Sequence, residues 1–344
     1  MQKKLFLILS IVIMVAMLAA CAPAAPAAEK PADPQQAAAS CKDSPTPPPL
    51  AKKDKYKVGF SQVETNGSWR IAETESMKAE AAKLGYDLVY TDAGGSEAKQ
   101  IADIDSMIAQ KVDLIFIAPR SEKALAEAVL KAKANCIPVI LLDRDVDHSI
   151  AAPGRDYVTM IGSDFVEEGR RAGEWLAKTT NGKAVIIELE GSVGSSPAID
   201  RKKGFDEEIA KHPDMKIVAS QTGDFARDKG RQVAETLLQA HPDVTAIYAH
   251  NDEMAIGAIA ALESAGKVPG KDVIVVSIDG IKDAAQAIID GKLGATVECS
   301  PKFGPKAFEV MQGYANGEKF GPKIVNPDRF FDISNAADYL PEAY

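Results

Sequence analysis

Four apolar runs in this sequence end in polar residues whose types belong together chemically. Ser61-Gln62 follows Val58-Gly59-Phe60, and Asp143-Arg144 follows Val139-Ile140-Leu141-Leu142. Asn251-Asp252 follows Ile247-Tyr248-Ala249-His250, and Asp279 follows Val275-Val276-Ser277-Ile278. Carboxylates accept the proton of a hydroxyl, while guanidinium and amide N–H groups donate to its oxygen. The set therefore suits a neutral, polyhydroxylated ligand. Trp69, on a loop-to-helix turn, adds an indole face able to cover the apolar C–H side of a ring, although aromatics in general pack into cores. A single Asp at a strand end is commonly the N-cap of the next helix. Four such ends, one with an adjacent cation that capping does not require, favour convergence on one crevice.

Catalytic alternatives are weaker. The chain has no Gly-x-Ser-x-Gly elbow, Walker A loop, Gly-x-Gly-x-x-Gly or Cys-x-x-Cys, and the glycine- and serine-rich stretch 191–196 reads as a strand-to-helix connection. His148, His212, His241 and His250 are scattered, without the i, i+4 pairing of a metal site, and His250 reads as a strand-end residue with an ordinary hydrogen bond. Asp143 with Asp252 or Asp279 offers a pair of glycosidase type, but Arg144 holds its neighbour ionised rather than acidic. No catalytic residue, metal or cofactor is expected.

The elements that must position these groups follow from periodicity. Apolar runs of strand length occur at 57–60, 87–90, 113–118, 138–142, 184–189, 244–249 and 273–278. Between them, Met77, Ala81 and Leu84 stop at Gly85, Ile101, Ile104 and Ile108 form a second helical stripe, and Leu125, Val129 and Ala132 a third. Strands without polar alternation, separated by amphipathic helices, indicate parallel sheets covered on both faces, so the fold class is α/β. Ligands of such open sheets sit beyond the carboxyl ends of the strands. The length of this pattern exceeds one ordinary domain, which implies two lobes with a change near Met160 to Asp164.

The whole chain has 344 residues, 46% hydrophobic and 26% charged, with a net charge of -9, a pI near 5.2 and a mean hydropathy of -0.11. An acidic chain without a long basic run does not suit a nucleic-acid partner, and a single long apolar stretch does not suit a polytopic membrane protein. Residues 1–20 carry Lys3-Lys4, an apolar run and then Leu18-Ala19-Ala20-Cys21, the order of a secretory signal peptide. Leu-Ala-Ala-Cys resembles the lipobox of bacterial lipoproteins, which implies cleavage before Cys21, lipid attachment to its sulfur, and a membrane anchor without insertion. Residues 21–54 are rich in Ala and Pro and are expected to form a disordered tether reaching on the order of 100 Å. Cys41, Cys136 and Cys299 show no metal-ligand spacing and read as isolated thiols.

Taken in order, Val58-Gly59-Phe60-Ser61-Gln62, Trp69-Arg70, Ile115-Phe116-Ile117-Ala118-Pro119, Leu141-Leu142-Asp143-Arg144, the stretch 198–205, Gly223-Asp224-Phe225, the stretch 248–254 and Ser277-Ile278-Asp279-Gly280 resemble the sugar-binding proteins of bacterial ABC importers. The resemblance is to the ribose- and galactose-binding class, covers about residues 55–325, and lies nearest the galactofuranose-binding branch. It implies the type I periplasmic binding protein fold, two Rossmann-like doubly wound lobes joined by a three-strand hinge. Lobe 1 is then expected at 55–162 and 300–328, and lobe 2 at 163–299 and 329–344. By the same likeness Asp143, Arg144, Arg201, Asn251 and Asp279 bond the hydroxyls, and Trp69 and Phe225 flank the sugar ring. Arg70 replaces an aromatic of the ribose-binding branch. Glu298 stands near a hinge position where ribose binders carry Gln and is expected to reach the ligand, although counting back from Pro301 puts Cys299 at that Gln. The implied protein is a monomeric, lipid-anchored, extracytoplasmic solute-binding component that delivers a monosaccharide to the transmembrane subunits of a permease. A receptor presenting the same bound sugar to a chemosensor or kinase is the alternative; a sugar-sensing transcription regulator would need a helix-turn-helix where the leader and tether lie.

Overall fold

The computed structural model of the protein describes residues 41–344. Its first half runs β1 (Lys57–Gln62), α1 (Gly67–Leu84), β2 (Asp87–Asp92), α2 (Glu97–Ala109), β3 (Leu114–Ile117), α3 (Glu122–Ala134), β4 (Val139–Leu142) and β5 (Met160–Gly162). The second half runs α4 (Phe165–Thr179), β6 (Lys183–Glu190), α5 (Ser196–Ile209), β7 (Asp214–Thr222), α6 (Arg227–Ala240), β8 (Ala246–Ala249), α7 (Asp252–Ser264), β9 (Ile274–Asp279), α8 (Lys282–Ile289) and β10 (Ala295–Glu298). The chain then returns through α9 (Gly304–Ala315), β11 (Lys323–Val325), β12 (Phe330–Asp332) and α10 (Ala336–Tyr339).

The strands form two six-stranded sheets ordered β11-β5-β4-β3-β1-β2 and β12-β10-β9-β8-β6-β7. Only the β10–β12 pairing is antiparallel among the pairs described. Both sheets start their lobes at a central strand, step to one edge, and return across it, so each has its order reversal beside its first strand: β1 next to β3, and β6 next to β8. That reversal opens a crevice at the carboxyl ends of the strands. Central strands β3, β4 and β8 are buried at every residue, as expected where helices cover both faces.

Local signals explain where the helices start and stop. Ser96 caps α2 by accepting from Lys99 N–H at 3.3 Å, and Asp164 caps α4 by accepting from Glu167 N–H at 3.1 Å. Gly85 ends α1 in the left-handed conformation, φ 70°. Helices α4 and α5 approach so closely that a Cβ at Gly204 would lie 1.9 Å from the carbonyl oxygen of Val166. This contact fixes α5, and with it Arg201, against α4.

The chain passes between the lobes at three places: after β5, after β10, and between β11 and β12. These crossings are tied together. Ser163 Oγ donates to Asp328 Oδ1 at 3.1 Å, Arg171 donates to the Asp328 carbonyl at 2.9 Å, and the Tyr344 hydroxyl donates to the carbonyl of Cys299 at 3.1 Å.

Two expectations change at the N-terminal side. Cys41 and Cys136 are not isolated thiols but form a disulfide across a sequence separation of 95 residues; only Cys299 is free among the described cysteines. Residues 41–54, assigned from composition to a disordered tether, lie against the first lobe. Lys133 Nζ donates to the Ser44 carbonyl at 2.8 Å, the Tyr314 hydroxyl donates to the Pro48 carbonyl at 2.9 Å, and Leu50 is buried in the core. Composition failed here because a covalent bond and a few carbonyl acceptors hold a segment that has little apolar surface to bury. The expected signal peptide, Cys21 and the rest of the expected tether lie outside the described residues, among which no helix is long and apolar enough to cross a membrane.

Closing so long a loop restricts the unfolded chain, so Cys41→Ser should lower stability by about 2–4 kcal/mol. Thermal unfolding checks this: reductant should lower the wild-type midpoint and leave the variant's unchanged.

Candidate functional site

Between the two sets of strand ends lies a cavity with about 430 Å³ of space, counted to its open mouth. Eight of the nine residues expected at a ligand line it: Trp69, Arg70, Asp143, Arg144, Arg201, Phe225, Asn251 and Asp279. Glu298 does not. Its carboxylate accepts from Arg329 Nε and Arg329 NH2, each at 2.8 Å, which turns it away from the cavity to which it was assigned. The adjacent residue Cys299 is on the wall instead. One residue of register exchanges the two faces of an extended chain, and Cys299, directly after β10, meets the cavity where Glu298 was expected.

From the first lobe, Trp69 and Arg70 occupy the first turn of α1 and are both 7% exposed. The indole Nε1 donates to the Cys299 carbonyl at 2.7 Å, which pins Trp69 to a hinge crossing, and its ring meets Phe303 edge-on at 6.0 Å. The Arg70 guanidinium stacks over Trp69 at 4.5 Å, donates to Glu73 Oε2 at 2.7 Å and donates to Asp143 Oδ2 at 2.6 Å. Gln62 Nε2 in turn donates to Glu73 Oε2 at 2.8 Å. The Ser61-Gln62 strand end thus acts one layer behind the cavity.

Asp143 sits just past β4 with φ 61°, at the centre of a γ-turn closed by Arg144 N–H donating to the Leu142 carbonyl at 2.6 Å. A non-glycine residue held there is strained, and such strain concentrates where a side chain must be aimed. Arg144 is the unusual member of the set. It is 2% exposed, its Nε is 3.6 Å from Asp143 Oδ2, and neither Nε nor NH1 has a hydrogen-bond partner. Burial, followed by the charge of Arg70, lowers its pKa to about 9 against the pull of Asp143.

In the second lobe, Arg201 on α5 donates to Glu168 Oε2 at 2.7 Å, to the His250 carbonyl at 2.6 Å and to Asp279 Oδ1 at 3.3 Å. Burial raises the Asp279 carboxyl well above its usual range, with Arg201 opposing. Asp279 has φ 133°, and the turn that presents it is held by Asp252, whose Oδ2 accepts from Gly280 N–H at 2.6 Å and Ile281 N–H at 2.9 Å. Asp252 therefore serves as a buried brace and does not line the cavity.

Phe225 also has positive φ, 60°, and its carbonyl accepts from Asn251 Nδ2 at 3.2 Å while Asn251 Oδ1 caps α7 at Met254 N–H, 3.0 Å. The ring lies over Gly191, where a Cβ would be 2.0 Å from it. Gly191 N–H donates to His250 Nδ1 at 3.2 Å, which leaves Nε2 to donate to Glu188 Oε1 at 3.0 Å. His250 is therefore a neutral, fully buried structural residue, and burial lowers its pKa further. Glu64, Asn66 and Glu253 line the cavity as well and were not anticipated. Their only signal is position: each lies within four residues of a polar strand end.

Residues 58–319 match the family described as the periplasmic binding protein domain. The chain belongs to this family. Its relatives among the periplasmic binding proteins include the galactofuranose-binding protein of Escherichia coli (strain K12), 41% identical over 83% of this chain and 88% of that one. A Mycobacterium smegmatis structure in complex with β-D-fucofuranose is 44% identical, with 83% of this chain and 94% of the other covered and a TM-score of 0.80. The component of the arabinose ABC transporter of Shewanella sp. ANA-3, bound to α- and β-L-arabinofuranose, is 42% identical, with 83% and 95% covered and a TM-score of 0.78. The protein has the type I periplasmic binding protein fold of the ribose/galactose class, a family of binding proteins rather than enzymes.

The hinge of this periplasmic binding protein carries a titratable group. Burial, then the charge of Glu168, raises the Asp328 carboxyl to about 7. Between its ordinary value of 3.8 and about 7, the folded chain keeps a proton that the unfolded chain has released. The stabilisation is complete below that window and is lost as pH rises through it. Asp328→Asn should flatten this dependence: no change near pH 4 and roughly 1–3 kcal/mol greater stability near pH 8, read from denaturant unfolding at both values.

Proposed function

We propose that this chain is the solute-binding component of an ABC importer, which takes a monosaccharide between its lobes and delivers it to the permease. The observation that carries the reading is Arg144. It lines the cavity with two guanidinium nitrogens, Nε and NH1, that have no hydrogen-bond partner, and the other walls supply carboxylates, an amide and two aromatic faces. A sugar hydroxyl or ring oxygen accepts from that guanidinium, and neighbouring hydroxyls donate to Asp143. Trp69 and Phe225 cover the C–H faces of the ring.

The lining supports a small polyhydroxylated ligand, since carboxylates, guanidinium groups, an amide and two aromatic faces converge on one cleft. Ring form is the finer point. The galactofuranose-binding relative and the two furanose-bound structures support a furanose, galactofuranose first. Arg70 fits the same preference: stacked on Trp69 and paired to Asp143, it puts a charged donor beside the indole where an aromatic would offer none. The leader at 1–20 and Cys21 support a lipid anchor in the cell envelope, in the periplasm or on the outer face of the cytoplasmic membrane.

A panel of D-galactose, L-arabinose, D-ribose and D-fucose, whose solutions contain furanose forms, should raise the unfolding temperature for at least one member, because ligand that binds only the folded state stabilises it. No shift with any of them would overturn the reading. With the sugar so identified, Asp143→Asn should weaken binding by about 1.5–3 kcal/mol, roughly 10- to 150-fold by calorimetry, since it removes a charged acceptor while Arg70 keeps Glu73.

A further inference from the structure

Helix α1 begins without a cap of its own. Asn66 stands at the N-cap position, but its side chain makes no capping hydrogen bond, and no acidic residue occurs in the first turn. The exposed N–H groups of a helix start need acceptors, and the helix dipole favours a negative one. Here the acceptor comes from the opposite lobe. Glu253, in the first turn of α7, accepts at Oε1 from Ser68 N–H at 3.0 Å and from Ser68 Oγ at 3.2 Å. Its other oxygen accepts from Arg227 Nε at 2.6 Å, and Arg227 is held in turn by Asp283 at 2.8 Å. Glu253 is 6% exposed.

We propose that Glu253 is an interlobe latch, a positioning residue that caps α1 in the shut body and thereby holds Trp69 and Arg70 on the sugar. The inference rests on the sugar-binding reading above and adds a residue and a role to it. Trp69 and Arg70 follow Ser68 directly in the capped turn, so the bond from Glu253 reaches the ligand through them. Arg227 and Asp283 belong to the same lobe as Glu253 and aim its carboxylate whether or not the lobes meet. When the lobes part, both ends of the latch pass to water, so the bond favours the shut state without locking it. Its effect falls on release of the sugar, which requires opening, and leaves the stability of the open, ligand-free protein alone.

The test compares the full-length mature protein with Glu253→Gln, Ser68→Pro and the double variant, using the sugar from the panel. Proline is tolerated in the first turn of a helix and deletes the N–H from the other side without touching Arg227. Each single variant should speed dissociation about 5- to 20-fold in stopped-flow, change association less than about twofold, and leave the ligand-free melting temperature unmoved. The double variant should be no worse than either single one, because both break the same bond. Unchanged dissociation in a wild type that binds sugar would sink the latch and leave the binding reading standing. A ligand-free melting temperature that falls in step with affinity would also sink it, showing a merely structural role. A wild type that binds none of the four sugars would overturn both.

Discussion

A charge removed from water must be answered by an opposite charge or by hydrogen bonds, and this protein buries three guanidinium groups around one cavity. Arg70 is answered by Glu73 and Asp143, and Arg201 by Glu168, Asp279 and a backbone carbonyl. Arg144 is answered only in part, by an oxygen at 3.6 Å. The rest of the architecture can be understood as the means of holding the first two and aiming the third. Gln62 steadies Glu73, the α4–α5 glycine contact steadies Arg201, and a γ-turn turns Asp143 and Arg144 inward.

Positioning of this kind has a local cost. Asp143, Phe225 and Asp279 all adopt positive φ, where side chains other than glycine are disfavoured by of order 1–3 kcal/mol each. Each is over-determined by a neighbour that does not touch the cavity or touches it with another atom: the Ile161 carbonyl accepting from Asp143 N–H, the Asn251 amide bonded to Phe225, and the Asp252 carboxylate under the turn after Asp279. Each strained residue at the wall therefore comes with a brace of its own.

Much of this was legible in the sequence. The strand-length apolar runs at 113–118, 138–142 and 244–249 contain the buried central strands, because burial on both faces leaves no polar alternation to confuse the signal. The edge strand β7, polar and half-exposed, and the three-residue strands β5, β11 and β12 carry too little periodicity to be seen. At the site, strand ends found Asp143, Arg144, Asn251 and Asp279, whereas Arg201 and Phe225, which come from a helix and a loop, required the family likeness. The bracing role of Asp252 was not legible, because a carboxylate that faces a ligand and one that braces a turn look alike in sequence; only the direction of the side chain separates them. The Cys41–Cys136 bond was missed for a related reason, since nothing in spacing brings residues so distant together.

The division of charge between the lobes bears on how they move. Arg70 pairs with Glu73 and Asp143 within the first lobe, and Arg201 with Glu168 and Asp279 within the second. Parting the lobes strands no ion pair of either triad. What crosses the cleft lies nearer the water: Ser68 with Glu253, the Glu122 N–H with the Gly194 carbonyl at 3.1 Å, the Asp145 N–H with Ser196 Oγ at 2.9 Å, and one part-exposed ion pair, Arg120 with Asp224 at 3.5 Å. Such bonds exchange with water for a small net change. On the proposed cycle, then, a sugar that touches both triads at once has contacts in the shut state that it lacks in the open one. That difference, and not the tightness of either half-site, is the free energy available to close the lobes.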